Sequence, residues 1–541
     1  MQGFADFADG LLGGMILVAL SIAVGGVAWT VAVLRPWESD SRAPLLRRTL
    51  GFVAIGAAAL ALTQAADLGV KALLLVDRFE LSYFASFATT LQARAGCARI
   101  LAAGALAVAA LALRARPTSR PLLAVVVVLA GLLTMTGAWL VHAAGRLEGR
   151  ASLMTLTVLH QLAAGVWVGG LVQLVALWAR ARRDPEAAAA WPLLLARFSR
   201  AALVAVAAML AAAVPLGVLY VGSVGGLIGS GYGSLVVTKV VLTTLTLALA
   251  AMNLRAVRRP ADATGRRRLP WVAEAETILV VILLFVAASL SAQPPPVDGV
   301  GERATSAELV EVFRPKWPTL RSPSVADKFV DAARPATLAP ERSFLAYSWS
   351  NYSHNVAGLF LLGMSLATLA GWFRPGWRRH APLALIALSV FVFLRTSASE
   401  GTWPFGTTPV LQNALGNAEA LQHRIGAVLA LALGLVEWRA RTAAAPSAAI
   451  RYLFPVLAAV GGVVLLMHSH APFEPKSDYL IQVTHTAMGG LAVLMAVGRW
   501  LELRTASGLG RAGGAASAVA LLLLALVLLF YREANVVVPS G

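Results

Sequence analysis

The sequence predicts an all-α fold, a polytopic bundle of about fourteen transmembrane helices. Of its 541 residues, 58% are hydrophobic and only 13% are charged, whereas about a quarter of the residues of a typical soluble domain are charged. The mean hydropathy is +0.74. Apolar runs of about 20 residues, each long enough to cross a bilayer, recur along the whole chain. These observations together place the chain in a lipid bilayer.

Fourteen apolar runs predict the individual spans. The first run has no basic flank and no small-residue cleavage site, so we interpret it as a retained helix and not as a signal peptide. In chain order the predicted spans are 11–34, 50–70, 97–113, 121–141, 152–178, 200–221, 234–255, 272–291, 347–372, 381–395, 418–437, 452–468, 480–500 and 514–531.

The basic residues orient these spans. Seven alternate connections hold more than half of the 45 lysines and arginines, while the short loops between them hold few. Basic loops face the cytoplasm, so both termini are predicted to lie outside. The seven basic connections are "RPWESDSRAPLLRR", "RARPTSR", "RARRDPEAAAAWPLLLARFSR", "RAVRRPADATGRRR", "RPGWRRH", "RARTAAAPSAAIR" and "RWLELRTASGLGR".

One outer connection is long and divides the chain. Residues 292–346 begin with the proline cluster Pro294–Pro296, which marks a boundary. We therefore predict an eight-span N-terminal membrane domain (1–291), a periplasmic linker (292–346) and a six-span C-terminal membrane domain (347–541).

Composition also excludes several functions. The net charge of +18 sits between the apolar runs, where it anchors loops, so we expect a lipid bilayer and no nucleic acid as partner. The single cysteine, Cys97, forms neither an internal disulfide nor a paired-thiolate site. No GxxxxGK[ST] phosphate loop is present. Any transport by this chain is therefore expected to be gradient-driven or facilitated, and we do not expect an enzyme.

The histidines are distributed unevenly across the predicted topology. Only His380 is predicted to be cytoplasmic, and the other seven lie at the outer surface or in the outer half. One histidine in an apolar helix is usually a packing residue, but several polar groups on one side of a membrane indicate a pathway or site. Imidazole suits copper, zinc and haem iron, and thioether favours Cu(I). The candidate metal ligands are His142, His160, His354, His423, His468, His470, His485, Met135, Met467 and Met488.

Five stretches carry a family resemblance: "TGAWLVHAAG", "LHQLAAGVWVGGLVQL", "RFSRAALVAVAAMLAAAVPLGVLY", "SGYGSLVVTKVVLTTLTLALAAMNLRAV" and "AEAETILVVILLFVAASLSAQPP". Over residues 136–295 the chain resembles the CopD/PcoD copper-resistance family, including its YcnJ-type and YebZ-type members. The clearest signature is Tyr232, Gly233 and Lys239. The family often has glycine where this chain has Val141, before the retained His142.

The resemblance implies copper movement from the periplasm across the inner membrane of a bacterium. It makes His142 and His160 the first candidates for copper binding, and a periplasmic copper-binding chaperone the expected donor. The C-terminal half resembles the extension of long family members. Four further polar or aromatic residues, which either gate the path or only stabilise the bundle, are Trp167, Tyr232, Lys239 and Glu276.

Two other functions remain open from the residues alone. His354, His423, His468 and His485 fall on four predicted helices at similar outer depth, and helix bundles build cofactor sites from facing helices. The C-terminal half would then bind haem b and act in electron transfer or quinone-linked redox chemistry. Alternatively, the protein is structural and its histidines only form hydrogen bonds.

Overall fold

The structure is a computed structural model. It describes residues 2–35, 37, 42–79, 82, 90–259, 263–299, 302–324, 344–371, 373–467, 475–506 and 508–533. Within this part the fold is all-α, with no β-strand, and fourteen helices are long and apolar enough to cross a membrane. The predicted fold class and number of spans are confirmed. The outside location of both termini stays a prediction.

The first nine helices cover the N-terminal half of the chain. Short 3-10 or π segments adjoin them at Trp29–Leu34 and His142–Gly145. The helices are α1 (Gln2–Ala28), α2 (Ala43–Phe79), α3 (Leu91–Ala115), α4 (Arg120–Ala138), α5 (Arg150–Ala181), α6 (Pro185–Val221), α7 (Val224–Ile228), α8 (Gly231–Arg258) and α9 (Ala263–Ala292).

Nine more helices follow in the described part of the C-terminal half. They are α10 (Ser306–Phe313), α11 (Phe344–Ala370), α12 (Pro375–His380), α13 (Leu383–Glu400), α14 (Val410–Gly416), α15 (Ala418–Thr442), α16 (Ala448–Leu466), α17 (Pro475–Arg504) and α18 (Gly508–Leu529).

Local sequence explains where several helices begin. Ser119 caps α4 by accepting a hydrogen bond from a backbone N–H of the first turn, and Asp184 caps α6 in the same way. Both helices have proline in their first two positions, where no intrahelical N–H bond is lost. These caps fix the ends of helices whose interiors are held by apolar packing.

The chain forms two compact units. The N-terminal unit comprises Ala8–Gly222 and Lys239–Gln293, and the C-terminal unit comprises Met1–Phe7, Ser223–Thr238 and Pro294–Gly541. In the N-terminal unit α1 crosses α5 at very short range, because a Cβ on Gly169 would lie 2.0 Å from the carbonyl oxygen of Ser21 and 2.7 Å from the Cα of Gly25. Only glycine permits this approach of two backbones.

In the C-terminal unit the short helix α10 packs on α17. Val312 of α10 is buried with Tyr479 and Leu480 of α17. The helix starts with a capping box, in which the Thr305 hydroxyl and the Glu308 carboxylate bond each other's backbone N–H groups. Lys476 Nζ pairs with Glu308 at 2.8 Å, so the cap also ties the helix to α17.

Candidate metal-handling sites

His142 lies just beyond the end of α4. The helix ends at Ala138, and His142 begins a short 3-10 helix. The ring centroid of His142 is 6.4 Å from that of Tyr220, edge to face. Met135 precedes His142 by seven residues, a spacing that predicts one shared face if the helix is continuous. That prediction is wrong, because α4 ends at Ala138, one turn before His142, and Met135 is 56% exposed.

His160 lies on α5 and contacts α6. Its Nδ1 is 3.2 Å from the carbonyl oxygen of Met209. A carbonyl only accepts, so Nδ1 carries the proton and Nε2 the lone pair. Lys239 is near enough to act electrostatically on this imidazole when its amine is protonated. A positive neighbour raises the energy of any cation bound at His160, which counts against a metal ion resting there.

Glu276 lies at the centre of a buried polar group in the N-terminal unit. The carboxyl is 3% exposed. Trp167 Nε1 donates to its Oε1 at 3.3 Å, and Asn253 Nδ2 donates to its Oε2 at 3.0 Å. Trp167 is therefore more than a packing aromatic, because its indole holds an intramembrane carboxyl in place.

The Tyr232-Gly233 signature is a packing device in the C-terminal unit. Tyr232 is 6% exposed at the start of α8. A Cβ on Gly233 would lie 2.1 Å from the carbonyl oxygen of Leu227 in α7. Glycine is thus required for the turn that places Tyr232.

The C-terminal unit brings two histidines into direct contact. The ring centroids of His354 on α11 and His485 on α17 are 5.4 Å apart, edge to face. Tyr531, which follows α18, stacks on His354 at 4.0 Å and lies 5.9 Å from His485. His485 is only 3% exposed. Two helices and the segment that follows a third therefore meet at one imidazole pair.

The hydrogen bonds of these histidines fix which nitrogen has the lone pair. In His354, His423 and His485, Nδ1 lies 2.8, 2.8 and 3.0 Å, respectively, from the carbonyl oxygen four residues earlier on the same helix. Each Nδ1 is then the protonated nitrogen, and each Nε2 is the basic one. Metal-binding histidines are oriented by this kind of backbone bond.

Three residues that sequence reasoning did not identify complete this cluster. Glu533 is 5% exposed and accepts hydrogen bonds from the hydroxyls of Ser350 and, at 3.3 Å, Tyr531. The Ser350 hydroxyl is also 3.4 Å from His354 Nδ1. The only sequence signal was a tyrosine at the end of the last predicted span and a glutamate two residues later, which is also the pattern of an ordinary membrane-surface anchor.

The predicted thioether ligands differ in position. Met488 is 2% exposed and lies one helical turn after His485 on the same face. Met467 ends α16. His468 and His470 lie outside the described residues.

In the part of the chain that the structure describes, no group of three or more His, Cys, Asp or Glu side chains has the arrangement of a metal site.

Haem does not fit between His354 and His485. Two axial histidines must lie on opposite faces of the flat macrocycle, one for each side of the iron. Here the two rings touch edge to face at 5.4 Å, and Tyr531 stacks on one of them. This packing leaves no slot for a porphyrin between the two rings.

Comparison with known proteins bears on the N-terminal half. Residues 192–290 match the family described as CopD, copper resistance protein D. The match covers most of α6 to α9 and includes Tyr232, Lys239 and Glu276, so the resemblance predicted from the sequence is confirmed over these residues. His142 and His160 precede the matched residues.

One curated relative matches part of the chain. Over 153 residues the chain is 29% identical to the copper transport protein CutJ of Bacillus subtilis (strain 168). The match covers 28% of this chain and 27% of that relative, so the two proteins are alike over about a quarter of their lengths. No solved structure matches the chain.

Proposed function

We propose that this protein transports copper ions across the membrane that its helices span, and is a transporter rather than an enzyme. The CopD match at residues 192–290 carries this proposal. The partial likeness to a copper transport protein supports it. Copper is the transported substrate here, not a resident cofactor.

The His354–His485 pair is the part of the structure best suited to receive copper. Both Nε2 atoms are basic, the rings touch, and the thioether of Met488 lies one turn from His485. Imidazole and thioether together suit copper, and the thioether favours Cu(I). A transported ion must also leave, so a site with few ligands is better suited than a closed structural site.

The outer face of the membrane is the proposed side of copper entry. The His354–His485 pair lies in the predicted outer half, so we assign entry to that side. The bacterial inner membrane is the proposed location, and a periplasmic copper-binding chaperone the proposed donor. His142 and His160 are a second, weaker candidate station because of the nearby Lys239 ammonium.

The experiment measures copper bound per purified protein, and copper uptake by cells expressing it. His485→Ala and His354→Ala are each expected to lower copper binding and copper uptake by about tenfold. This is the loss expected when one contact to the copper ion worth ~1.4 kcal/mol is removed. His380→Ala is the matched control, because His380 lies in α12, on the predicted cytoplasmic side and away from the imidazole pair. Its Nδ1 accepts a hydrogen bond from Trp438. His160→Ala is expected to have the smaller effect.

Two results would count against the proposal. Unchanged copper content and uptake in all three test variants would remove the assignment of copper to these residues. A Soret band in the purified protein, lost in His423→Ala or His485→Ala, would establish haem in the C-terminal half instead.

A further inference from the structure

The C-terminal unit contains a cavity that the copper proposal does not use. Its volume is about 370 Å³, and it lies among α11, α12 and α15 to α18. Ligand pockets of proteins begin at about 300 Å³, so it can hold a phosphate-sized group with part of a larger molecule. It lies at the helix ends formed by the basic connections, the predicted cytoplasmic side.

Four arginines and one glutamate give the cavity wall its charge. Arg378 Nη2 and Arg499 Nη1 each bond the Glu502 carboxylate, at 2.8 and 2.6 Å. Arg441 also lines the cavity, and its Nε is 2.8 Å from the Glu437 carboxylate behind the wall. Glu437 is fully buried and accepts from Arg499 as well, at 2.8 Å.

These charges do not balance. The four lining arginines face only two carboxylates, Glu437 and Glu502, so the site has an excess of two positive charges. Arg511 is the arginine that no ion pair within the described residues uses. Arg511 is exposed at the open side of the cavity. A concentration of unbalanced arginine in a partly open cavity raises the affinity for anions.

Two further atoms on this wall lack protein partners. The hydroxyl of Thr368 is buried and has no hydrogen-bond partner among the described residues. The Nε of Arg499 is also buried and has no hydrogen-bond partner among the described residues. Buried polar atoms are nearly always satisfied by protein, water or ligand. Both atoms belong to side chains of the cavity wall, and a ligand that accepts hydrogen bonds would satisfy them once those side chains turn toward it.

From the cavity, its charge excess and its unsatisfied donors, we infer that this end of the C-terminal unit binds a phosphate-bearing anion. Arginine forks match the oxygen geometry of phosphate. Arg511 and the outer edge of Arg499 contact the phosphate oxygens, and Thr368 donates one further hydrogen bond. The ion pairs with Glu502 and Glu437 hold the other arginines in place.

The anion has two sources with the same chemistry. One is the headgroup of an anionic phospholipid, since basic pockets between transmembrane helices bind such headgroups. Phe454 and Leu521 in the wall would then contact acyl chains. The other is a soluble phosphate from the adjoining aqueous phase.

The test uses the full-length protein in two kinds of nanodisc. In phosphatidylcholine discs, binding of radiolabelled inorganic phosphate is measured by equilibrium dialysis. In mixed discs with phosphatidylglycerol, lipid that stays bound is measured by native mass spectrometry. We expect one bound anion per chain in at least one arm, and the arm that responds identifies the source. No copper is added, so failure here is separate from failure of the transport proposal.

Arg511→Gln is the test variant because it leaves every ion pair of the wall intact. It is expected to weaken anion binding about tenfold, while the matched control Arg451→Gln, an exposed arginine of α16 that does not line the cavity, binds like the wild type. Thr368→Val, which removes only the donor, is expected to weaken binding severalfold. Absence of both anions from the wild type, or equal binding by Arg511→Gln and Arg451→Gln, would overturn the inference.

Discussion

Asn355 provides a sharp test of how the imidazole pair is held. It follows His354 in α11 and is fully buried. Its Nδ2 donates to the carbonyls of Leu528 at 3.2 Å and Tyr531 at 3.0 Å, and its Oδ1 accepts from the Thr319 N–H at 2.7 Å. One amide therefore joins α11, the end of α18 and the segment after α10.

The expected effect of Asn355→Ala follows from these three bonds. Each intramolecular hydrogen bond contributes about 1 kcal/mol net, so the free energy of unfolding should fall by about 3 kcal/mol. The variant also leaves two carbonyls and one N–H without this partner in a buried place. Since Asn355 fixes the backbone of Tyr531, and the Tyr531 ring stacks on His354, bound copper should fall too.

The assay is denaturant unfolding in detergent micelles, together with copper content. Asn413→Ala is the matched control, because the amide of the half-buried Asn413 donates to Glu400 at 3.1 Å, and its loss should lower stability by about 1 kcal/mol or less. If Asn355→Ala proved no less stable than Asn413→Ala, the three-bond argument would be refuted. Full copper content in Asn355→Ala would show that the Tyr531 ring does not position His354.

Two further predictions concern packing and pH. Gly169→Ala should lower the free energy of unfolding by about 3 kcal/mol or more, because the new Cβ would lie 2.0 Å from the Ser21 carbonyl oxygen. The control Gly131→Ala, which has open space around it, should be neutral or stabilising by up to about 1 kcal/mol. Equal unfolding free energies of the two variants would contradict this. Hydrogen bonding from Lys476 lowers the pKa of Glu308 below 4.5 in the folded protein, so the contact of α10 with α17 is fully stabilised above pH 4.5 and weakens as the pH falls through the folded pKa. Spin-label distances between the two helices should broaden on acidification in the wild type, and a Glu308→Gln variant that broadens over the same pH range would argue against this carboxyl.

Helix number and type could be predicted from the sequence because both follow from the apolar runs. Most helices nevertheless extend further than the predicted spans, and these include the two shortest: 97–113 is Leu91–Ala115, and 381–395 is Leu383–Glu400. The first of these predicted spans begins after Arg94 and includes Arg99. Arg99 is in fact buried, and its Nη1 is 3.4 Å from Gln64 Oε1 of α2. Only tertiary structure shows that such a charge has a partner inside the bundle.

The site was less predictable than the fold. Histidines on separate helices could be identified, but their pairing depends on how helices turn and cross, which hydropathy does not specify. His354 and His485 meet, whereas the helix break before His142 separates it from Met135. Tyr531 lies after the last span and had no distinguishing pattern.

The two proposed sites of the C-terminal unit lie on the same helices but are far apart. Thr368 is fourteen residues after His354 on α11, and Arg499 is fourteen residues after His485 on α17. At 1.5 Å per residue each separation is about 21 Å. Substitutions at such distances, with no shared partner, have nearly additive effects. His485→Ala should therefore leave anion binding unchanged, and Arg511→Gln should leave copper content unchanged. A reciprocal loss would mean that α11 and α17 move as one element between two states, with the anion acting on copper transport.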